Sequence, residues 1–334
     1  MKLSVIIPCY NSGPYIGRLL RSIAKQKYDD LEVVIADDCA TKPYDTIVDS
    51  FRGALNIVRT STKYNCCPGN TRQAGVDVAT GDWYTFADHD DAFYLHVFEK
   101  VADVVRKYDP KVIVSDFVEV RPETDEVLCR HDKAFGWTHG KFYNAEWWKA
   151  HGLHYKKDLK SHEDIYLSTM VDCALHADGI EAYHLPMLTY KWTAHPESVS
   201  RSEDRLFIDN HMGEYLQATG YAFLEDYGKR KDLAYSLYRA CSVVLYAYFY
   251  HMGAVFRRPD DIIEENAVCI RDYVRAVRDA FSLTNEDIVR YCTRDGGKFY
   301  WQVMNNAAIA TGAYVPFLTF QQYLEILENE EQAG

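Results

Sequence analysis

The chain has 334 residues, 48% of them hydrophobic and 26% charged, the balance of a folded protein with an ample core. Lys plus Arg number 37 against 49 Asp plus Glu, a formal charge of −12, so the surface repels phosphate backbones and anionic lipid and general nucleic-acid binding is not expected. Nine cysteines without a C-x-x-C pair or zinc-ribbon spacing read as reduced thiols.

MKLSVIIPCYNS has neither the apolar length nor the cleavage pattern of a signal peptide, and no window reaches the roughly 20 apolar residues of a membrane span. The expected setting is cytoplasmic, with peripheral attachment at the inner face of a membrane left open. Leu3 to Ile7 reads as a buried parallel strand ended by Pro8, followed by a helix with Ile16, Leu19, Leu20 and Ile23 at helical spacing. A second strand, Leu31 to Ala36, runs into Asp37-Asp38. Ile57 to Arg59 is a third strand, Gly69 to Ala79 a helix, and Trp83 to Ala87 a fourth strand ending in Asp88-His89-Asp90-Asp91.

Val112 to Val120 and Glu126 to Arg130 flank Pro122-Glu123-Thr124-Asp125, the pattern of a hairpin. Helices are expected from the Asn144 cap to His151 and from the Ser161 cap to His176, with short strands near Glu181 to His184 and Leu188 to Trp192. Beyond about residue 202 only helices are expected: Phe207 to Tyr227, Lys231 to Tyr250, Asp260 to Phe281 and Thr319 to Leu327, with another start at Thr284 to Asp287. The pattern predicts an α/β domain over 1–203, a doubly wound and mainly parallel sheet, followed by an all-helical extension over 204–334. A role for the extension in homo-oligomerisation is one of several open to it.

In a doubly wound sheet, ligands bind beyond the carboxyl ends of the strands. Two strands here deliver acids to that edge. Carboxylates at i and i+2 of an extended segment share a side, as Asp88 and Asp90 do, and together suit a hard divalent cation such as Mn²⁺ or Mg²⁺. An isolated D-x-D is common by chance; the ordered set around this one is not. SVIIPCYN, VVIADD, NCCPGNTRQAGVDVATGDW and TFADHDD follow one another, and HGKFYNAEWW, LKSHEDIYL and YKWTAHPESVS lie downstream.

This series resembles the family 2 glycosyltransferases of GT-A fold over residues 1–202. The resemblance implies an inverting, metal-assisted, single-displacement transfer from a nucleotide-sugar, of UDP type, to the hydroxyl of a glycan, cell-surface polymer or glycoconjugate. It also implies roles. Pro8, Tyr10 and Asn11 would line the base pocket, Asp37 or Asp38 would bind base or ribose, and Arg72 would stand beside the donor. Asp88 and Asp90 would hold metal and donor with Asp91 in support, and Asp164 would be the general base. His195 would be a further metal or diphosphate contact, and Lys191 would neutralise diphosphate.

Asp91, Trp137, His139 and Glu163 are placed on the acceptor side, with Trp147 and Trp148 as further aromatic faces for a sugar. Each has an ordinary alternative: core packing for Tyr10 and the tryptophans, a helix start for Asp91, helix-dipole complementation behind the Ser161 cap for Glu163 and Asp164. Eight of the 12 histidines fall between His131 and His195 without the spacing of a zinc site. The Cys39-Ala40-Thr41-Lys42 that follows Asp38 departs from the family pattern. A non-catalytic sugar- or partner-binding module is the rival reading.

Overall fold

The computed structural model describes residues 1–194, 205–257, 263–295 and 319–333, and the chain divides into two compact units, Met1–Ser202 and Glu203–Gly334. The first unit runs β1 (Leu3–Cys9), α1 (Ile16–Ala24), β2 (Leu31–Asp37), α2 (Asp45–Asp49), β3 (Ile57–Ser61), α3 (Pro68–Val78), β4 (Trp83–Phe86) and β5 (Ala92–Phe93). It continues with α4 (Val97–Tyr108), β6 (Val112–Val120), β7 (Val127–His131), β8 (Lys141–Asn144), α5 (Ala145–Ala150), α6 (Glu163–Asp178) and β9 (Tyr183–Thr193).

These strands form one sheet in the order β3-β2-β1-β4-β8-β6-β9-β5, with β7 pairing β6 outside that path. The half containing β3, β2, β1 and β4 is parallel throughout. The other half is mixed, because β8 is antiparallel to both β4 and β6 while β9 is parallel to β6. Sequence periodicity misses β8, since four residues leading into a helix cap show no period. α1 lays Ile16, Leu19, Leu20 and Ile23 onto a core that includes Leu3, Val5, Ile7, Val33 and Ile35.

Pro8 does not end β1, which pairs with β2 as far as Cys9. The Cys9 carbonyl accepts from Asp38 on the β2 side and the Ile6 carbonyl accepts from Ala87 on the β4 side. Position 8, of the same parity as 6, therefore faces β4, where the ladder has already stopped at Ile6. The missing proline N–H costs no hydrogen bond. Chain order also reverses between β1 and β4, so the sheet opens a crevice there at the carboxyl ends of its strands.

Three other expectations change. The strands near 181–184 and 188–192 are one strand, β9, with its register slipping around Leu185 to Leu188 opposite Ser115 and Asp116. α6 is capped by His162 at φ +62° and not by Ser161, whose hydroxyl instead meets His162 Nδ1 at 2.7 Å. Asp91 does not start a helix: β5 intervenes before α4.

The second unit is helical over its described residues: α7 (Arg205–Ala218), α8 (Gly220–Arg230), α9 (Leu233–Arg257), α10 (Ile263–Phe281), α11 (Asn285–Arg290), a π-helical turn at Tyr291–Asp295, and α12 (Phe320–Ala333). The expected single helix from Phe207 to Tyr227 is two, broken at Thr219. α11 begins with a full capping box between Thr284 and Asp287. Val244, Leu245, Ala247 and Tyr248 bury α9 against its own unit. Among the described residues no helix is long and apolar enough to cross a membrane.

Candidate functional site

β4 ends at Phe86 and releases the segment Asp88-His89-Asp90-Asp91 at the mouth of the crevice. β9 holds that segment in place. The Tyr190 hydroxyl accepts from the Asp88 N–H at 2.9 Å and donates to Asp91 Oδ2 at 2.7 Å, and the Thr193 N–H donates to Asp91 Oδ1 at 2.7 Å. From α1, the Arg18 guanidinium donates to the Asp90 carbonyl and to Thr193 Oγ1. Asp91 is fully buried; burial, then Asp90 and Asp88, push its carboxyl well above the usual range despite these donors. It braces the loop from behind.

Asp88 keeps 30% of its side chain exposed. Burial alone would raise its pKa, but the Arg72 guanidinium, by its charge and its hydrogen bond, leads the interactions that hold it below the usual carboxylate range. Arg72, buried on α3, donates to Asp88 Oδ1 and to Glu163 Oε1, both at 2.6 Å. α3 can come this close to α6 because residue 69 is glycine: a Cβ there would lie 2.9 Å from Glu163 Cβ. One guanidinium thus joins Asp88 to the first turn of α6.

Asp164 follows Glu163 in that turn. It is half-buried. Burial and then Glu163 push its carboxyl up to about 7, against the pull of Arg72, the Ile165 N–H at 2.8 Å and Lys141. Lys141 on β8 is fully buried, and burial pushes it down to about 7, with Asp164 acting the other way. A half-buried carboxyl poised near neutrality suits a general base.

The residues expected at the nucleotide base split into two groups. Tyr10 is 45% exposed, so it is not core, and its ring face is available for stacking. Asn11, at φ +51°, spends its carbonyl oxygen on the N–H groups of Thr41 and Lys42, each at 2.9 Å, so it shapes the pocket wall. Asp37 turns toward α2, accepting from the Tyr44 hydroxyl at 2.6 Å, and lines a cavity of about 330 Å³ with Lys42, Asp45 and Arg59. Asp38 turns the other way. Its Oδ1 accepts from Thr62 Oγ1 and the Cys66 N–H, each at 2.9 Å, while Oδ2 has only a 3.4 Å contact from Asn65 Nδ2. Asn65 and Cys66, to which the sequence reading gave no role, complete this pocket. Pro8 sits at the end of β1 beside it.

Other expectations are redistributed. Lys191 pairs with Asp125 at 2.8 Å and lies over the Tyr94 ring. Strand alternation points its side chain away from that of Tyr190, while its backbone stands opposite Ala92, next to the acid loop. Trp147 and Trp148 are buried, the former donating to Asp178 at 2.7 Å, so they are core and not sugar platforms. Trp137 is 40% exposed and packs on Phe117 and His131. His139 lies between Tyr190, stacked at 5.1 Å, and Trp192 at 5.4 Å. His195 lies outside the described residues.

Asp88, Asp91 and His139 place three ligand atoms within 4.8 Å of one another. Burial pushes His139 down to about 4 despite Asp88, so its imidazole is neutral and can offer a lone pair. Two carboxylates and an imidazole form an oxygen and nitrogen donor set that suits Mn²⁺ or Mg²⁺. The cluster differs from the trio expected from sequence, Asp88, Asp90 and His195: Asp90 is not in it.

Residues 4–163 match the family model described as Glycosyl transferase family 2. The chain is 31% identical over 180 residues to the poly(ribitol-phosphate) β-N-acetylglucosaminyltransferase TarS of Staphylococcus aureus, covering 49% of this chain and 31% of that protein. It is 31% identical over 118 residues to the glycosyltransferase GlyG of Streptococcus pneumoniae, covering 34% and 38%. The chain thus spans about a third of the length of these relatives. The crystal structure of S. aureus TarS 1–349 in complex with UDP-GlcNAc superposes with a TM-score of 0.70 at 20% identity, over 94% of this chain and 93% of that one, which shows a shared fold of GT-A type. Over residues 4–163, just under half of its length, the chain is thus similar to the family 2 glycosyltransferases.

Proposed function

We propose that the protein transfers a sugar from a UDP-sugar, of N-acetylhexosamine type, to a hydroxyl of a cell-surface glycan or polyol polymer, with inversion at the anomeric carbon. The observation that carries this reading is the Asp164 carboxyl near neutrality, joined through Glu163 and Arg72 to the donor-side acid Asp88. A binding module has no use for such a base. The relatives named above, one of them an N-acetylglucosaminyltransferase, and the fold shared with a UDP-GlcNAc complex support the donor class.

In this reading the Tyr10 ring stacks on uracil and Asp38 Oδ2 accepts from the base, since Oδ1 is already committed. Asp88 and Asp90 would hold a divalent cation, which when bound would supply neutralisation of charge on the departing diphosphate. The alternative ligand set is Asp88, Asp91 and His139, favoured by the proximity of their ligand atoms. Arg72 keeps Asp88 ionised and orients Glu163. Asp164 takes the proton of the acceptor hydroxyl as the oxygen attacks the anomeric carbon from the face opposite the diphosphate. Trp137 supplies an exposed aromatic face toward the acceptor. Nine free thiols fit a reducing, cytoplasmic compartment.

The test is nucleotide release from a panel of UDP-, GDP- and CMP-sugars with Mn²⁺ or with EDTA. The expected outcome is slow, metal-dependent release from one UDP-sugar. If no nucleotide-sugar is turned over and none binds in the presence of metal, the binding-module reading takes its place.

A further inference from the structure

The segment that leads from α5 into α6 carries charge of the opposite sign to the rest of the chain. Residues 149–162 hold four lysines and three histidines against one acid, Asp158, in a protein of formal charge −12. The segment is firmly seated. Leu153, Tyr155 and Leu159 are buried, and the Tyr155 N–H donates to Gln73 Oε1 of α3 at 3.0 Å. Asn70 of α3 accepts from the Asp158 N–H and donates to Asp158 Oδ1, each at 3.2 Å, so the one acid is held by a neutral amide. Lys157 and Lys160 are exposed, and neither ammonium makes an ion pair among the described residues. Lys156 lies over the Tyr166 ring of α6, 5.5 Å from its centroid. Support of the following helix does not account for these lysines. A helix N-terminus favours negative charge, which α6 has in Glu163 and Asp164, while its own basic residue, His176, stands in the last turn.

We propose that the strip formed by Lys156, Lys157 and Lys160 receives a phosphate-bearing stretch of the acceptor polymer and leads it to Asp164. The inference deepens the transferase reading and rests on Asp164 being the base. Chain length alone keeps the Cα of Lys160 within about 14 Å of that of Asp164, and the Cα of Lys157 within about 25 Å. Lys156, over Tyr166, brings a third cation to the first turn of α6. An acceptor hydroxyl at Asp164 therefore has room for anionic groups of its own chain along the strip. An ammonium is a compact point charge with no preferred plane, which suits phosphates on a flexible polymer. The strip contains no arginine, the residue whose planar fork pairs with carboxylates in bidentate fashion. With negative charge in excess elsewhere, such a polymer is drawn to this segment and repelled from the remaining surface, which orients it.

The probe is a fluorescently labelled poly(glycerol phosphate) oligomer, read by anisotropy with UDP and Mn²⁺ present, against a neutral dextran oligomer and an alginate oligomer of equal charge. Wild type is compared with the double variants Lys157→Gln/Lys160→Gln and Lys157→Arg/Lys160→Arg, each checked for folding by circular dichroism, at about 50 to 200 mM salt. Wild type is expected to bind the phosphate polymer at least about tenfold more tightly than dextran. The glutamine variant should lose about tenfold in affinity and about one to two units of the log–log salt slope, and the arginine variant should retain binding. Equal binding of dextran, or unchanged affinity in the glutamine variant, overturns the proposal. Alginate bound as tightly as the phosphate polymer overturns the assignment of phosphate.

UDP release from UDP-GlcNAc with Mn²⁺, measured on wild type, separates the two layers. Absence of both release and donor binding removes the transferase reading, whatever the polymer result. Release with dextran and phosphate polymer bound alike removes only the strip.

Discussion

Arg72 on α3 and Glu163 on α6 meet at 2.6 Å across 91 residues of sequence, and the same guanidinium carries Asp88 on its other arm. Asp88 and Glu163 are thereby set at a fixed separation by one planar cation. A guanidinium can do this because its donors form a rigid fork; an ammonium cannot hold two carboxylates in the same geometry.

Arg72→Lys is therefore expected to lower donor turnover by at least about tenfold, and Arg72→Ala by about a hundredfold or more, through misplaced acids and not lost charge alone. Steady-state kinetics with UDP-GlcNAc, alongside thermal unfolding, checks this. Equal activity of Arg72→Lys and wild type would show that position is not what Arg72 supplies.

Tyr190 ties the acid loop to β9 through one hydroxyl that serves Asp88 and Asp91 together. Tyr190→Phe leaves a buried N–H and a buried carboxylate oxygen short of a partner, which costs about 1–3 kcal/mol. Urea unfolding of the purified variant reads that loss directly. A change under about 0.5 kcal/mol would mean that the loop finds other partners.

The location of the cation can be decided without turnover. Mn²⁺ binding in the presence of UDP, followed by electron paramagnetic resonance, is expected to weaken at least about tenfold in Asp90→Ala and less in Asp91→Asn and His139→Ala. The opposite ranking places the ion among Asp88, Asp91 and His139.

Far from the site, Glu32 shows how the sheet is anchored. It is buried on β2, accepts from Ser4 Oγ at 2.6 Å and Thr80 N–H at 2.6 Å, and pairs with Lys2 at 2.8 Å. Burial would raise its pKa, but Lys2, Ser4 and Thr80 together lower it to about 2 from 4.5. A depressed folded-state value means stability present above pH 4.5 that is lost as pH falls toward 2, about 3 kcal/mol in all. Glu32→Gln should lose most of that stability at pH 7 and show a flatter decline in acid, read by urea unfolding between pH 7 and pH 3.

The acid loop is legible in the sequence because a β-branched strand running into Asp88-His89-Asp90-Asp91 marks a carboxyl edge whatever lies around it. The burial of Asp91 is not legible, because it depends on Tyr190 and Thr193, which reach the loop from about a hundred residues away. The pairing of Lys191 with Asp125 is not legible either, because the partner lies 66 residues away on another element. β8 shows no period in four residues, and with it the burial of Lys141 escapes any sequence pattern. Asp37 and Asp38 look equivalent as neighbours, yet the fold turns one toward Tyr44 and the other toward Cys66.

Asp164→Asn separates binding from chemistry most directly. UDP-GlcNAc binding with Mn²⁺ by isothermal titration calorimetry and UDP release under the same conditions are measured on wild type and variant. The expected result is donor affinity within about threefold of wild type with release reduced by at least about a hundredfold, the signature of a lost proton acceptor. Undiminished release by Asp164→Asn would contradict the assignment of the base, and loss of binding together with release would make Asp164 part of the donor pocket.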